Sequence, residues 1–381
     1  MNYAGKNFSN RAKEVEPGFA AHSGDTALPM AASDYRAYDL TAYSRTGGCS
    51  CKVGADALGE ICGGEALART RSAEHAADDA AVIALNKRKV LLTSIDFQNP
   101  VIGDSHIAGQ IATLNAVSDI YACGGQPHSA EIVLAVPNAD VAEQVAVGRG
   151  LMEGIAMACL ETGVAITGGH TIMLDTPVVG LAVRGFAAPG QVKRKSGARP
   201  GDLLVLTKSI GIGALIAGNQ VGAVHEAHWA AALKNLLTPN TAGQHLGRIR
   251  GVTAMTDVTG FGLAVHALEI AWASGVTIEI SFGQLPLLDG ALRAAASGYS
   301  PALTAANEAF AGNAPLVAGA LTRAEVDLMF DPQTNGGLLI SCRPSSLEQV
   351  LQTCDAVGQY PTIVGQVMPA ATHPLIIRKD Q

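Results

Sequence analysis

The sequence predicts a two-domain α/β (α+β) protein, and three observations support this. The chain has 381 residues, which is too long for one typical domain and long enough for two, each with its own core. Hydrophobic residues make up 48% of the chain and aromatic residues only 4%, a composition typical of aliphatic parallel sheets covered by helices. Strand signals and helix signals also alternate along both halves of the chain.

In the first half, buried-type strands alternate with helical runs. Strands are predicted at 90–96, 131–136, 164–167 and 178–186, and helices at 106–122 and 141–162. The third of these strands leads directly into Gly168-Gly169-His170-Thr171. Because glycines permit close approach of a ligand to the backbone, this segment is predicted either to cradle phosphate or to form a tight turn.

The second half begins after a turn at 199–202, which contains Pro and Gly. Strands are predicted at 203–207, 276–280 and 337–341, and helices around 214–217 and after Gly262. The predicted organisation is therefore a flexible leader at 1–38, a Gly- and Cys-rich loop at 39–64, an N-terminal α/β domain at 65–195 and a C-terminal α/β domain at 196–381.

Charge and hydropathy exclude several classes of partner. The formal net charge is −7, which gives no long-range attraction to nucleic acid or anionic lipid. The sequence contains no unbroken stretch of about 18 apolar residues and no signal-peptide core. The seven cysteines are odd in number and lie mostly in apolar runs, which is typical of reduced thiols. These features predict a cytoplasmic protein with no nucleic-acid or membrane partner.

The densest chemical signal is the segment Thr46-Gly47-Gly48-Cys49-Ser50-Cys51-Lys52. A nearby cation favours the reactive thiolate, so Cys49 and Cys51 beside Lys52 form a candidate reactive pair. The alternative is a redox-inert glycine-rich loop. A zinc site is disfavoured, because this spacing has no matching second pair of Cys or His downstream.

A second signal is a set of carboxylates at predicted strand ends or loop starts. Its members are Asp78, Asp79, Asp96, Asp119 and Asp257. Carboxylates together with substrate phosphate oxygens commonly hold Mg²⁺ in triphosphate sites. Neither a P-loop motif nor a glycine-rich dinucleotide motif after a strand occurs in the sequence, so any nucleotide site has another architecture.

Taken together, these segments resemble the selenophosphate synthetase (selenide, water dikinase) family. The resemblance covers roughly residues 40–375 and rests on motifs in a fixed order: 40–44, 47–52, 78–82, 96–97, 112–125, 168–171, 257–262 and 331–337. It implies the fold of aminoimidazole ribonucleotide synthetase, with two α/β halves per chain and the N-terminal halves paired in a homodimer. The implied reaction converts ATP, selenide and water into selenophosphate, AMP and phosphate, and so supplies selenium for selenocysteine and selenouridine synthesis.

The resemblance also implies roles for individual residues. The loop at 39–64 would be catalytic through Cys49 and Lys52, and the domain at 65–195 would bind ATP and metal. Mg²⁺ would be held by Asp79, Asp119 and Asp257, with a monovalent cation such as K⁺ as a further candidate. The implied nucleotide contacts are Lys52, Asp78, Asp96, Asp119, Gly168, Gly169 and His170.

Two alternatives remain open at this point. Other enzymes of the same superfamily, such as thiamine-monophosphate kinase, a purine-pathway synthetase or the hydrogenase-maturation dehydratase, share the acidic metal set. They lack Gly48-Cys49-Ser50-Cys51-Lys52, and the last also needs a C-terminal Cys that 376–381 does not provide. The alternative from a different class is a non-catalytic nucleotide-sensing or redox scaffold, and the presence of Lys52 together with the acidic set speaks against it.

Overall fold

The computed structural model describes residues 38–43, 47–54, 57–58 and 78–379. The predicted leader, apart from residue 38, lies outside these residues, as do several parts of the predicted loop at 39–64. Within the described ranges, no helix combines the length and the apolar character that crossing a bilayer requires.

The first sheet has five strands in the order β1-β2-β5-β3-β4. Only β3 and β4 run parallel, and the other neighbours are antiparallel. Helices α1 and α2 pack on one face of the sheet and share its core. The bounds are β1 (Ala81–Asn86), β2 (Lys89–Gln98), α1 (Ser105–Ala122), β3 (Gln126–Pro137), α2 (Val141–Thr162), β4 (Ala165–Leu174) and β5 (Val178–Ala187).

Local capping explains why α2 begins and ends where the sequence predicts. The Asp140 side chain accepts a hydrogen bond from the Glu143 backbone N–H at 2.9 Å, which satisfies one of the first free donors of the helix. Gly163 follows the last turn in the left-handed conformation, with φ of 70°, which glycine adopts without strain. The prediction of a helix at 141–162 is confirmed.

The second sheet has seven strands in the order β7-β10-β6-β11-β8-β12-β9. Strand β12 runs parallel to β8 and β9, and the other neighbours are antiparallel. The strands are β6 (Leu203–Leu206), β7 (Val252–Asp257), β8 (Thr277–Ser281), β9 (Pro315–Ala318), β10 (Leu338–Cys342), β11 (Thr362–Met368) and β12 (Leu375–Arg378). The helices are α3 (Ile212–Gln220), α4 (Glu226–Leu236), α5 (Ala242–Leu246), α6 (Gly262–Ser274), α7 (Ala291–Ala296), α8 (Ala302–Ala311), α9 (Arg323–Phe330) and α10 (Leu347–Asp355).

The two-domain α/β (α+β) class is confirmed, but two details of the sheets differ from what the sequence suggests. The sheets are mixed and largely antiparallel, because aliphatic strands can bury a face against helices in either direction. Gly168, Gly169 and His170 do not form a turn after a strand but lie inside β4, paired with β3. A Cβ at Gly169 would lie 2.5 Å from the Ile132 carbonyl oxygen, so glycine here allows two strands to approach closely.

The two sheets meet at a junction built around α1. Val101 and Ile111 belong to the same buried cluster as Leu206 and Leu263 of the second half. Near its end, α1 contributes Ala122 to a second cluster formed with that half. Polar residues on the same helix are thereby brought against the end of β7.

Candidate active site

The described part of the Cys-containing loop is anchored at the junction. Leu40 is fully buried, and its N–H donates to the Gly103 carbonyl at 3.2 Å. The Gly48 N–H donates to the Asn99 carbonyl at 2.8 Å. Gly48 has φ of 60°, and a Cβ there would lie 2.2 Å from Thr334 Oγ1, so no other residue fits without rearrangement. The short 3-10 helix Cys49–Cys51 therefore begins at a fixed point.

Cys51 and Lys52 lie beside Asp96, whereas the Cys49 side chain is outside the described part of the structure. Lys52 Nζ contacts Asp96 Oδ2 at 2.9 Å. Burial raises the pKa of the Cys51 thiol, and a backbone hydrogen bond at Asn99 and the Lys52 charge oppose this shift only in part. Cys51 is thus mainly a neutral thiol at neutral pH, which makes it a poor nucleophile.

Asp96 is oriented by the amide side chain of Asn115, which also contacts the backbone of the second half. Asn115 on α1 donates from Nδ2 to Asp96 Oδ2 at 2.6 Å, and its Oδ1 accepts from the Asn335 N–H at 2.8 Å. Asn335 is fully buried with φ of 47°, a conformation that asparagine tolerates better than most residues. The sequence placed Asn335 in a family motif but assigned it no role.

The carboxylates of Asp79, Asp119 and Asp257 converge at the junction. Burial raises the pKa of Asp119 well above its usual range, and the charges of Asp257, Asp96 and Asp79 add to this shift. Burial also raises the pKa of Asp79 to about 6, with Lys195 opposing and Asp257 adding to the shift. Ser118, the neighbour of Asp119, donates to Asp257. Thr256, the neighbour of Asp257, donates to Asp79. The structure therefore brings these three sequence-predicted residues into one acidic site.

Hydroxyl groups orient these three carboxylates. Ser94 donates to Asp119 Oδ2, and Thr256 Oγ1 donates to Asp79 Oδ1 at 2.8 Å. In the same way, Ser118 Oγ donates to Asp257 Oδ2 at 2.6 Å. Serine and threonine satisfy the carboxylates without adding positive charge, so the site keeps a negative potential.

This donor set fits a divalent cation that is shared with a substrate. Among residues 78–379 and the shorter described segments, no group of three or more His, Cys, Asp or Glu side chains is arranged to hold a metal ion by itself. Mg²⁺ is usually held by one or two carboxylates together with waters and substrate phosphates, and it does not need such a cage. The mutual repulsion within the acidic site is what a cation would relieve.

The remaining predicted nucleotide contacts are placed differently. Asp78 points towards the segment between the two halves, where Arg194 Nη1 and the Lys195 N–H bind its two oxygens at 2.5 and 3.0 Å. Gly168, Gly169 and His170 lie on β4, separated from Asp96 on β2 by β5 and β3. At ~4.8 Å per strand this is a distance of ~14 Å, so one chain does not bring them to the acidic site.

Sequence reasoning missed the basic segment Lys193-Arg194-Lys195. Lys195 Nζ lies 3.0 Å from Asp79 Oδ1 and 2.9 Å from Glu269 Oε2. Burial opposes ionisation of Glu269, but the hydrogen bond from His266 and the charge of Lys195 hold its pKa well below its usual range. Three consecutive basic residues shortly before a Pro-Gly turn were the available signal.

Both halves of the chain match known domain families, and the fold matches solved structures. A family model described as "AIR synthase related protein, N-terminal domain" matches residues 77–187, and one described as "AIR synthase related protein, C-terminal domain" matches residues 199–376. Among solved structures, thiamine monophosphate kinase from Aquifex aeolicus aligns with a TM-score of 0.61 at 20% identity, covering 86% of this chain and 99% of that chain. Hydrogenase maturation protein HypE aligns with a TM-score of 0.58 at 18% identity, covering 79% and 88%. These likenesses show the fold alone.

Curated relatives are more similar in sequence. Selenide, water dikinase from Pseudomonas straminea is 36% identical over 338 residues, covering 87% of this chain and 94% of the relative. Selenide, water dikinase from Enterobacter sp. (strain 638) is 36% identical over 335 residues, covering 87% and 95%. With both domain matches in place, the chain belongs to the selenide, water dikinase family.

Proposed function

We propose that this chain converts ATP, selenide and water into selenophosphate, AMP and phosphate, the reaction that membership of the selenide, water dikinase family implies. The observation that carries the proposal is the buried acidic site of Asp79, Asp119 and Asp257, with the Lys52–Asp96 ion pair beside it. The reaction must bring a selenide anion to an anionic triphosphate, so positioned positive charge is its main requirement.

The acidic site would hold Mg²⁺ through Asp79, Asp119 and Asp257, and a monovalent cation such as K⁺ is part of the same proposal. When bound there, Mg²⁺ would neutralise phosphate oxygens and polarise the phosphoryl group. Lys52 would exchange its contact with Asp96 for a phosphate oxygen, because its side chain is 30% exposed and therefore accessible to a substrate. Before the substrate binds, Asp96, itself held by Asn115, would keep the Lys52 ammonium close to the position where it meets the phosphate.

Selenium handling is assigned to Cys49, on the strength of the family motif and of its neighbour's chemistry. Cys51 has a raised pKa, which leaves Cys49 as the better candidate thiolate. Asp78, Gly168, Gly169 and His170 remain proposed nucleotide contacts. The domain limits at 65–195 and 196–381, with the catalytic loop at 39–64, are part of the same proposal.

Two other functions are candidates, a non-catalytic nucleotide sensor and another kinase of the superfamily. Hydrolysis of ATP with and without selenide separates the three cases. A selenide-dependent release of AMP supports the proposed reaction. Transfer to a different acceptor, with ADP as product, would favour another kinase, and no turnover under either condition would favour a sensor.

A homodimer formed through the N-terminal halves is also proposed, because within the described residues helices cover only one face of the first sheet. Ile95 and Phe97 of β2 are 59% and 52% exposed on the opposite face. Strand pairing places Ile83 of β1 on this open face, and it is also exposed. Exposed apolar side chains grouped on one sheet face are typical of a protein–protein interface. A second copy of the chain would cover this face by symmetry.

Ile95→Glu is expected to convert the dimer to a monomer, because it would place a charge within the buried contact. Sedimentation analysis should give twice the 39.0 kDa chain mass for the unmodified protein and the single mass for the variant. The control is Leu160→Glu, which changes a residue 83% exposed on α2 and should leave the dimer intact. A dimer that survives Ile95→Glu would place the interface elsewhere.

A further inference from the structure

Lys195 joins the acidic site to helix α6 through two ion pairs. Its Nζ lies 3.0 Å from Asp79 Oδ1 and 2.9 Å from Glu269 Oε2. The Lys195 side chain is only 10% exposed, so water competes little for the ammonium. A buried lysine between two carboxylates has few other positions to occupy.

Glu269 is itself held in place by His266. The Thr259 N–H donates to His266 Nε2 at 3.1 Å, so the ring proton lies on Nδ1. His266 Nδ1 in turn lies 3.0 Å from Glu269 Oε2, where it donates this proton. A continuous chain of polar contacts therefore runs from His266 through Glu269 and Lys195 to Asp79.

The backbone of Lys195 is fixed on both sides of the junction. Its N–H donates to Asp78 Oδ1 at 3.0 Å, which ties it to the first half. Its carbonyl oxygen accepts from Ser274 Oγ on α6 at 3.3 Å, which ties it to the second half. The position of the ammonium thus depends on how the two halves are joined.

The contacts of Asp79 also determine which of its oxygens faces a cation. Thr256 Oγ1 at 2.8 Å and Lys195 Nζ at 3.0 Å both contact Oδ1. Two donors on one oxygen fix the rotation of the carboxylate and leave Oδ2 as the oxygen offered to a ligand.

We propose that Lys195 is a positioning residue for the metal site, holding Asp79 in the orientation that binds the cation, with Glu269 and His266 holding Lys195. This inference rests on the metal set of the proposed function. It adds a role for three residues outside that set. Lys195 acts through Asp79 and touches neither substrate nor metal.

Lys193 provides a matched control on the same segment. It has the same side chain as Lys195, and the two lysines have the same 8% exposure when the whole residue is counted. Its Nζ donates to the carbonyls of Ile249 and Val252, both at 2.9 Å, and not to the acidic site. Replacing it tests the effect of losing a buried ammonium from this segment without changing the contacts of Asp79.

The test is Mn²⁺ binding to the full chain in the presence of β,γ-methylene-ATP, followed by electron paramagnetic resonance. Lys195→Met is expected to weaken Mn²⁺ binding by about tenfold or more, the usual effect of losing a residue that orients a metal ligand. Lys195→Arg, which keeps the charge, should restore most of the affinity. Glu269→Gln should give an intermediate loss, and Lys193→Met should leave the affinity unchanged. In steady-state assays, Lys195→Met should raise the KM for Mg²⁺ more than it lowers kcat.

Several outcomes would overturn the inference. Unchanged Mn²⁺ binding by Lys195→Met would show that Asp79 needs no positioning, and tighter binding would show that the ammonium competes with the metal. An equal loss in Lys193→Met would assign the effect to packing of the segment. These results leave the proposed function intact, whereas a failure of the unmodified chain to bind Mn²⁺ would overturn both.

Discussion

Replacing Asp119 by Asn is expected to lower Mg²⁺-dependent turnover by about 100-fold or more while the protein remains folded. Asp119 is the residue on which the charges of Asp79, Asp96 and Asp257 act together. Asparagine keeps the size of the side chain and an acceptor for the Ser94 hydroxyl, but it removes the charged oxygen. A metal contact worth ~3 kcal/mol in the transition state corresponds to about a 100-fold change in rate.

Asp79→Asn and Asp257→Asn should behave in the same way, and Asp202→Asn serves as the matched control. Asp202 is a buried carboxylate with hydroxyl partners, accepting from Thr253 Oγ1 at 2.6 Å and Ser341 Oγ at 3.1 Å. Its replacement should lower the melting temperature but leave kcat nearly unchanged. Any of the three site variants that turns over at the unmodified rate would have to be removed from the metal set.

The two cysteines of the loop should respond very differently to replacement by serine. Cys49→Ser is expected to lower selenophosphate formation by roughly 1000-fold or more, on the scale seen when an enzyme loses its nucleophile. A serine hydroxyl is not ionised at neutral pH and cannot carry selenium. ATP binding should be retained, because Lys52 and the acidic site are unchanged.

Cys51→Ser should keep substantial activity, since burial already holds the Cys51 thiol in its neutral form. Steady-state assays with selenide as substrate compare the two variants directly. If Cys51→Ser were the inactive variant, the assigned roles would be reversed. Equal activity of both variants would remove the thiols from the mechanism.

Local signals allowed much of the fold to be predicted from the sequence. Helix α2 matches its predicted range because Asp140 and Gly163 cap it within a few residues of its own ends. Gly168, Gly169 and His170 were misplaced because a glycine pair after a strand signal also suits a strand interior. The choice between these structures depended on Ile132, on a strand more than thirty residues earlier in the chain.

The members of the acidic site could be identified from the sequence, but its electrostatic balance could not. Asp79 and Asp257 could be selected as carboxylates beside strands, whereas Asp119 lies inside α1 and not at a strand end or loop start, so only its family motif identified it. Lys195 could not be linked to Asp79, because their contact depends on how the two halves pack together. Its partners Glu269 and His266 lie on the buried side of α6, where a sequence pattern only indicates a helix.

The most direct test of the proposed function is a single reaction of the purified chain with ATP, Mg²⁺ and selenide, followed by ³¹P NMR under anaerobic conditions. A selenium-bonded phosphorus signal, split by ⁷⁷Se, should appear together with equal amounts of AMP and phosphate. Neither AMP nor the new signal should form when selenide is left out. Formation of ADP with no selenium-bonded phosphorus would contradict the proposed reaction and show that the enzyme transfers phosphate to a different acceptor.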